Sequence, residues 1–173
     1  MNKLLKVLSI VIAGFALTAS SFAADVTMRI SIQLPMKSHL GQNLLLFKND
    51  VEAKSKGEIE VQIYDSAQLY KDKEVPAAVG SGSIEAGVAS LTRYVGDIPA
   101  VDIFYQPFLL NSEAKVRKAV AKGSAIRGPI DKAIEGTGST VLWWQAYGSA
   151  VMLSKGQGIK NPSDMKGKKV RVF

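Results

Sequence analysis

The sequence predicts an α/β fold built on a parallel sheet, and two patterns carry this prediction. Apolar residues alternate with polar ones over residues 28–32 and again over residues 59–63, which is the period of a strand. Between these strands, Leu40, Leu44 and Phe47 recur at the spacing of an amphipathic helix. Because a helix connects them, the two strands are expected to lie parallel in one sheet.

The first two helices carry start and stop signals. Ser38 precedes the first helix as its N-cap, and Gly57 follows as its stop. We expect Asp72 to cap a second, shorter helix, which tolerates Pro76 in its first turn and ends at the glycines of residues 80–82.

A third strand is predicted over residues 84–88, and it brings Ser90 and Arg93 to the loop at its carboxyl end. Ligands of open α/β sheets bind in the crevice outside these carboxyl ends. We therefore expect this loop to take part in ligand binding. A turn serine and a surface arginine are the alternative.

The middle of the chain continues the α/β pattern. We predict, in order, a buried apolar connection over residues 101–110, helices over residues 114–122 and 126–134, and a strand over residues 140–147. Trp143 and Trp144 would point to opposite faces of that strand, so that one packs in the core and the other lines a wall.

Beyond this strand the chain is expected to cross to another lobe. Gly148 interrupts the strand pattern, residues 151–154 are predicted to be extended, and residues 161–164 to start another helix. Alternation over residues 169–172 predicts a final strand. Because a parallel strand without a covering helix leaves a buried type of edge exposed, we expect the sequence to be an incomplete one.

The N-terminus has the pattern of an export signal. Lys3 and Lys6 precede an apolar stretch over residues 7–19 that is too short to span a bilayer, and small residues follow at Ser21 and Ala23. We expect cleavage after Ala23 and no stable membrane insertion afterwards. An uncleaved membrane anchor is the alternative.

The charge distribution argues against a nucleic-acid partner. The chain carries 22 Lys and Arg, which fall to 20 without Lys3 and Lys6, against 15 Asp and Glu. These charges are scattered, and the dense stretch over residues 48–56 interleaves acidic residues, as a solvated helix face does. Basic and aromatic residues do not alternate as in RNA-recognition modules, so we expect no nucleic-acid partner.

The residue types argue against most catalytic and metal chemistry. The chain has no cysteine and a single histidine, His39, so zinc sites, iron–sulfur clusters and thiol catalysis are not expected. It lacks a G-x-S-x-G elbow, a phosphate-binding loop and an H-E-x-x-H motif, and the glycine runs at residues 80–82 and 136–138 lack the third glycine of a dinucleotide fingerprint. Ser38 and His39 are neighbours on a turn, where side chains rarely face each other for proton transfer. We expect neither an enzyme nor a cofactor.

Seven short strings of residues form a further pattern along the chain. They are SHLG at residues 38–41, VE and SKG at 51–52 and 55–57, SAQL at 66–69, GSGSIEAG at 80–87, QPFLL at 106–110 and PSDMKGKKVRV at 162–172. In this order and spacing they resemble the N-terminal portion of the DctP-like solute-binding subunit of tripartite ATP-independent periplasmic (TRAP) transporters.

That resemblance implies a receptor rather than an enzyme. The family has two α/β lobes, a type II periplasmic-binding-protein fold, which closes over a small organic acid and presents it to a membrane-embedded TRAP permease. By that comparison residues 24–147 are one nearly complete lobe, residues 148–173 form the hinge crossover and the start of the second lobe, and the location is periplasmic. The alternatives are a receptor for an ABC importer or sensor, and an exported domain that binds no ligand.

The resemblance also implies ligand-binding residues. Arg171 matches the arginine that holds the ligand carboxylate, a role for which two parallel N–H donors of a guanidinium are suited. The alternative is a solvated strand arginine beside Lys169. Ser90 and Arg93 match ligand-contacting positions of the first lobe, and Gln33, at the end of the first strand, is a further candidate.

One position departs from the family pattern. Ala150 stands where several members have a second arginine, two residues after the glycine matched by Gly148. The resemblance therefore does not imply a sialic acid or a particular dicarboxylate, and Trp144, Gln145 and Tyr147 would supply an aromatic or hydrogen-bonding wall instead. The implied mechanism is capture of the acid between the lobes, followed by closure about strands near the hinge glycine.

Overall fold

The computed structural model describes residues 24–149, 151–156 and 158–171. The predicted export signal lies outside these ranges, as do Ala150 and the last two residues of the chain. None of the helices in the described ranges is long and apolar enough to cross a membrane.

A three-stranded parallel sheet forms the first half of the fold. Its strands and their connecting helices are β1 (Val26–Ile32), α1 (His39–Lys54), β2 (Ile59–Tyr64), α2 (Val75–Gly80) and β3 (Ala86–Val88). The strand order is β2-β1-β3, with Met28 opposite Val61 and Ile32 opposite Val88. The parallel sheet and its helical crossover confirm the predicted α/β class.

The central strand β1 holds the core of this sheet. Ile30 and Ile32 are buried and pack with Leu40 and Leu44 of α1, and burial of each such side chain contributes about 1.5–3 kcal/mol. Ser31 points to the opposite face, where its hydroxyl donates to the carbonyl oxygen of Tyr70 and accepts from its N–H, both at 3.2 Å. These two bonds tie the loop after β2 to the centre of the sheet.

The helix boundaries follow the sequence signals in part. Ser38 caps α1 as predicted, because its Oγ accepts a hydrogen bond from the backbone N–H of Gly41 at 3.1 Å. Pro76 lies in the first turn of α2, also as predicted. The prediction that Asp72 caps α2 is wrong. Glu74 occupies the N-cap position, and the Asp72 carboxylate is bonded to the segment after β3 instead.

The two glycine runs that lack a nucleotide fingerprint have a packing role. A Cβ on Gly80 would lie 2.4 Å from the carbonyl oxygen of Thr137, and one on Gly138 would lie 2.7 Å from the carbonyl oxygen of Gly80. Gly138 also has φ +85°, which favours glycine. The end of α2 therefore contacts the turn over residues 136–138 through backbone atoms, and a side chain does not fit between them.

A second hydrophobic cluster organises the rest of the chain. The elements here are two 3₁₀ turns, Leu91–Tyr94 and Pro99–Tyr105, and the helices α3 (Glu113–Val120) and α4 (Arg127–Glu135). Ile98, Val101, Ile130 and Ile134 form the buried centre of the cluster. Both helices lie within two residues of their predicted bounds.

The prediction of a buried connection over residues 101–110 is correct only for its first half. Val101 and Phe104 pack into the second cluster because a 3₁₀ turn has three residues per turn and brings both to one side. After Pro107 the chain leaves the cluster, so Phe108 is 88% exposed, with φ +62°.

Two predicted strands do not form within the described residues. Residues 140–147 and 169–171 have no sheet pairing there, because alternation alone does not supply the neighbouring strand that a ladder of hydrogen bonds requires. The helix start predicted over residues 161–164 is a 3₁₀ turn, Pro162–Met165, in which Asp164 accepts from the backbone N–H of Lys160 at 2.9 Å.

Trp143 and Trp144 point to opposite sides of their extended segment, as predicted. The ring centroid of Trp143 lies 5.0 Å from that of Phe47 on α1, and that of Trp144 lies 5.1 Å from that of Phe104 in the second cluster. The segment over residues 141–147 therefore lies between the two hydrophobic clusters and contacts both.

Candidate functional site

The carboxyl edge of the sheet brings three of the predicted ligand residues to one end of the fold. Ile32 is paired with Val88, so Gln33 and Ser90 follow the ends of neighbouring parallel strands. Ser90 is the N-cap residue of the turn that carries Arg93, and its carbonyl oxygen accepts from the Arg93 N–H at 2.9 Å. This edge is where ligands of α/β sheets are expected.

Asp72 is the centre of this arrangement, although sequence reasoning missed its role. It is 5% exposed and is the only buried charged residue in the part of the chain that the structure describes. One carboxylate oxygen accepts from the backbone N–H of Ser90 at 3.0 Å, and the other from Nε of Arg93. Both bonds are needed, because a buried carboxylate without partners is costly.

Arg93 is therefore held at one edge of its guanidinium and open at the other. Its side chain is 33% exposed, and its Nη1 and Nη2 atoms make no hydrogen bond to the described residues. These are the donors that would form parallel bonds to two oxygens of a ligand. The turn can thus offer hydrogen bonds outward while Asp72 fixes the direction of the side chain.

Tyr105 also belongs to this arrangement, although the sequence predicted that it lies in a buried connection. Its hydroxyl oxygen accepts from the backbone N–H of Thr92 at 3.2 Å, one residue from Arg93. Burial raises the pKa of Tyr105, and the nearby Asp72 carboxylate acts in the same direction. The phenol therefore stays neutral and keeps a proton to donate. Its hydroxyl within an apolar run was the signal available in the sequence.

Trp144 packs in the second hydrophobic cluster with its polar atom already engaged. Its indole N–H donates to Asp131 at 2.7 Å, and the guanidinium of Arg127 lies 5.5 Å from the ring centroid. The same cluster includes Leu91 of the turn that carries Arg93. In this arrangement Trp144 supports that turn rather than offering its N–H to a ligand.

Gln145 and Tyr147 lie on the extended segment that follows. Gln145 is half-buried and makes no side-chain hydrogen bond within the described residues. Tyr147 is 54% exposed, and its ring centroid lies 6.0 Å from that of His39 at the start of α1. Gly148 comes next, with φ +123° and open space around its Cα.

Arg171 stands apart from the other candidates. It is exposed, and no hydrogen bond or ion pair within the described residues joins it to Gln33, Ser90, Arg93 or the aromatic segment. Within the same residues, no cluster of three or more His, Asp or Glu side chains has the geometry of a metal site. An open groove of about 430 Å³ beside β2 also lies away from Asp72 and Arg93.

A model of a bacterial protein family matches residues 30–173, and its description is bacterial extracellular solute-binding protein, family 7, or DctP. A solute-binding protein of Verminephrobacter eiseniae is 31% identical over 155 residues, which are 87% of this chain and 44% of that protein. The C4-dicarboxylate-binding periplasmic protein DctP of Rhodobacter capsulatus is 26% identical over 161 residues, 92% of this chain and 47% of that protein. The chain spans about half the length of the curated relatives it matches.

Solved structures share the fold. A TRAP periplasmic solute-binding protein of Pseudomonas aeruginosa with bound L-malate has a TM-score of 0.62 at 19% identity, over 68% of this chain and 40% of that one. One from Sulfurospirillum deleyianum with bound succinate has a TM-score of 0.61 at 20% identity, over 67% and 37%. A Bordetella pertussis extracytoplasmic solute receptor binding pyroglutamic acid has a TM-score of 0.60 at 23% identity, over 65% and 36%.

Proposed function

Because the chain belongs to family 7 of the bacterial extracellular solute-binding proteins, the receptors of TRAP transporters, we propose that it captures a small organic acid and delivers it to a TRAP permease. The observation that carries the proposal is the Arg93 side chain, held by Asp72 at the carboxyl edge of the sheet with its Nη1 and Nη2 atoms left to donate. The family match favours this receptor over one that serves an ABC importer.

The ligand class follows from the chemistry of the relatives. The proteins crystallised with succinate, L-malate, D-erythronate, galacturonate and pyroglutamate all hold acids with at least one carboxylate. A guanidinium is the side chain best matched to that group, because its charge persists at any working pH. We therefore propose a carboxylate ligand, with no chemical change to it and no cofactor.

In this proposal Arg171 anchors the ligand carboxylate and the sheet edge contacts the rest of the molecule. Arg93, Ser90 and Gln33 supply donors from the first lobe, and Gln145 and Tyr147 line the wall beside the hinge. Arg171 is exposed and has no ion-pair partner among the described residues, as expected of a group that waits for an anion.

Closure of two lobes would bring these groups together. The first lobe would end at Tyr147, and residues 148–173 would begin the second. Gly148 supports a pivot at this point, because its φ of +123° is a conformation that other residues rarely adopt and no neighbouring atom restricts it. Differential binding to the closed state would drive the closure.

Export completes the proposal. The proteins of this family are periplasmic, and we infer that residues 1–23 direct export and are removed after Ala23. N-terminal sequencing of the secreted protein tests the cleavage site.

The binding function is tested on the full-length protein with a panel of organic acids in a thermal-shift screen, followed by calorimetry of the acids that bind. Arg171→Ala is expected to weaken binding by about 1.5–3 kcal/mol, the scale of a hydrogen bond to a charged group. Lys169→Ala, which removes a neighbouring exposed cation, is the matched control and is expected to leave affinity within about twofold. Equal affinity of the Arg171 variant and the wild type would remove Arg171 from the site, and no binding of any acid would refute the function.

A further inference from the structure

The pairing of the buried Asp72 carboxylate with Arg93 has a second consequence, which concerns charge. Asp72 lies in the loop before α2, 18 residues before Ser90 and 21 residues before Arg93 in the sequence. Its carboxylate is almost fully shielded from water, so its charge acts on Arg93 with little screening. The two formal charges therefore offset each other at the carboxyl edge of the sheet.

This charge compensation changes which ligand groups can bind beside Arg93. The Nη1 and Nη2 atoms of Arg93 remain hydrogen-bond donors, and the neutral hydroxyl of Tyr105 lies near the pair. A second ligand carboxylate placed here would give up its hydration and face Asp72 without a net positive partner, which is costly. A hydroxyl or carbonyl oxygen would accept the same hydrogen bonds at a smaller desolvation cost.

We propose that Asp72 is a specificity-determining residue, which orients Arg93 and neutralises it so that the receptor prefers acids with one carboxylate and an uncharged hydrogen-bonding group over dicarboxylates. This inference rests on the proposed function, since it describes the same binding site. It assigns Asp72 a role in selecting the ligand, whereas Arg171 holds the one carboxylate that every ligand carries.

Succinate and succinamate test the inference, because they share one carbon skeleton and differ only in a second carboxylate against an amide. Calorimetry on the full-length wild-type protein is expected to give a lower dissociation constant for succinamate. Asp72→Asn leaves the Arg93 charge uncompensated, which favours the second carboxylate of succinate. The dissociation constant of succinate divided by that of succinamate is therefore expected to fall by about tenfold. A purely structural role of Asp72 would weaken both ligands alike and leave the ratio unchanged.

Asp65→Asn is the matched control. Asp65 follows β2 at the same edge of the sheet, and its carboxylate accepts from the backbone N–H of Met36 at 2.9 Å rather than from an arginine. The substitution removes the same formal charge and is expected to leave the ratio within about twofold, because no guanidinium is released.

Arg93→Gln provides an independent test with the opposite sign, and it serves if Asp72→Asn lowers the melting temperature too far for calorimetry. It leaves the Asp72 charge uncompensated, so discrimination against succinate is expected to increase. A wild-type preference for succinate, or a ratio that neither variant moves, would overturn the inference while the binding function stands. Loss of binding of every acid by the wild type would refute the function itself.

Discussion

Arg29 and Arg93 are each paired with one carboxylate, but Arg29 uses two of its guanidinium nitrogen atoms within the described residues and Arg93 uses one. Arg29 donates from Nε and Nη2 to the two oxygens of Glu85, at 2.9 and 2.7 Å, and from Nη2 also to the carbonyl oxygen of Ser83. That guanidinium ties β1 to the chain that enters β3. Arg93 uses Nε alone, which leaves its other two nitrogen atoms for a ligand. This difference in the number of bonds is why we propose a binding role for Arg93 and a structural one for Arg29.

The Arg29–Glu85 pair predicts a pH dependence of stability. The Arg29 hydrogen bond lowers the pKa of Glu85 from 4.5 to about 2. Because the folded-state pKa is the lower one, the stabilisation is fully present above pH 4.5 and is lost as the pH falls toward 2. The side chains are 39% and 35% exposed, so we expect a contribution of no more than about 1 kcal/mol.

Urea unfolding of the wild type and of Glu85→Gln at pH 6 and pH 3 measures this contribution. The variant is expected to be less stable at pH 6 and closer to the wild type at pH 3, since the wild-type carboxylate is then almost fully protonated in the unfolded chain. Glu58→Gln, at an exposed glutamate, controls for the lost charge. A stability difference that stays constant between the two pH values would contradict the assignment.

At the level of elements, α1 does more than cover the sheet. Lys48 donates to the carbonyl oxygen of Val61 at 2.5 Å, and Glu52 accepts from the Val61 N–H at 2.9 Å. These bonds occupy the outer edge of β2, which is an edge strand, and protect it from pairing with another chain. The sequence predicted a solvated helix face here, since charge spacing alone does not reveal that a strand edge lies within reach.

The contact between α2 and the turn after α4 predicts the effect of a single methyl group. Gly80→Ala would place Cβ 2.4 Å from the carbonyl oxygen of Thr137, and backbone atoms on both sides leave little room to relax. We expect a loss of about 1–3 kcal/mol in the free energy of unfolding, the range for overpacking. Gly96→Ala, with no heavy atom within 4 Å of its Cβ, is the control and is expected to be neutral. Equal denaturation midpoints for the two variants would show that this contact tolerates a side chain.

Across the whole molecule, features that depend on neighbouring residues could be predicted from the sequence, whereas features that depend on distant residues could not. The β1–α1–β2 order and the Ser38 cap follow from periodicity and neighbouring residues, so they could be predicted. The strand predicted over residues 140–147 does not form within the described residues, because strand pairing depends on an edge supplied by distant sequence, which periodicity does not reveal. The site shows the same division. The sheet-edge rule pointed to Ser90 and Arg93 as candidates, whereas Asp72 is recognised only through its bonds to residues 18 and 21 positions away.

Gly148 carries the last prediction, which concerns the proposed closure of the two lobes. Any residue with a Cβ is strained at φ +123°, by roughly 1–2 kcal/mol or more. If the chain pivots here, this strain differs between the open and closed states, and Gly148→Ala in the full-length protein changes the affinity for the acid by several-fold. Gly156→Ala is the control, because Gly156 also has positive φ and open surroundings but lies beyond the pivot. Calorimetry gives the affinities, and small-angle scattering with and without the acid reports the closure. If the variant binds and closes as the wild type does, the strain of the alanine is the same in both states. The chain then does not pivot at Gly148.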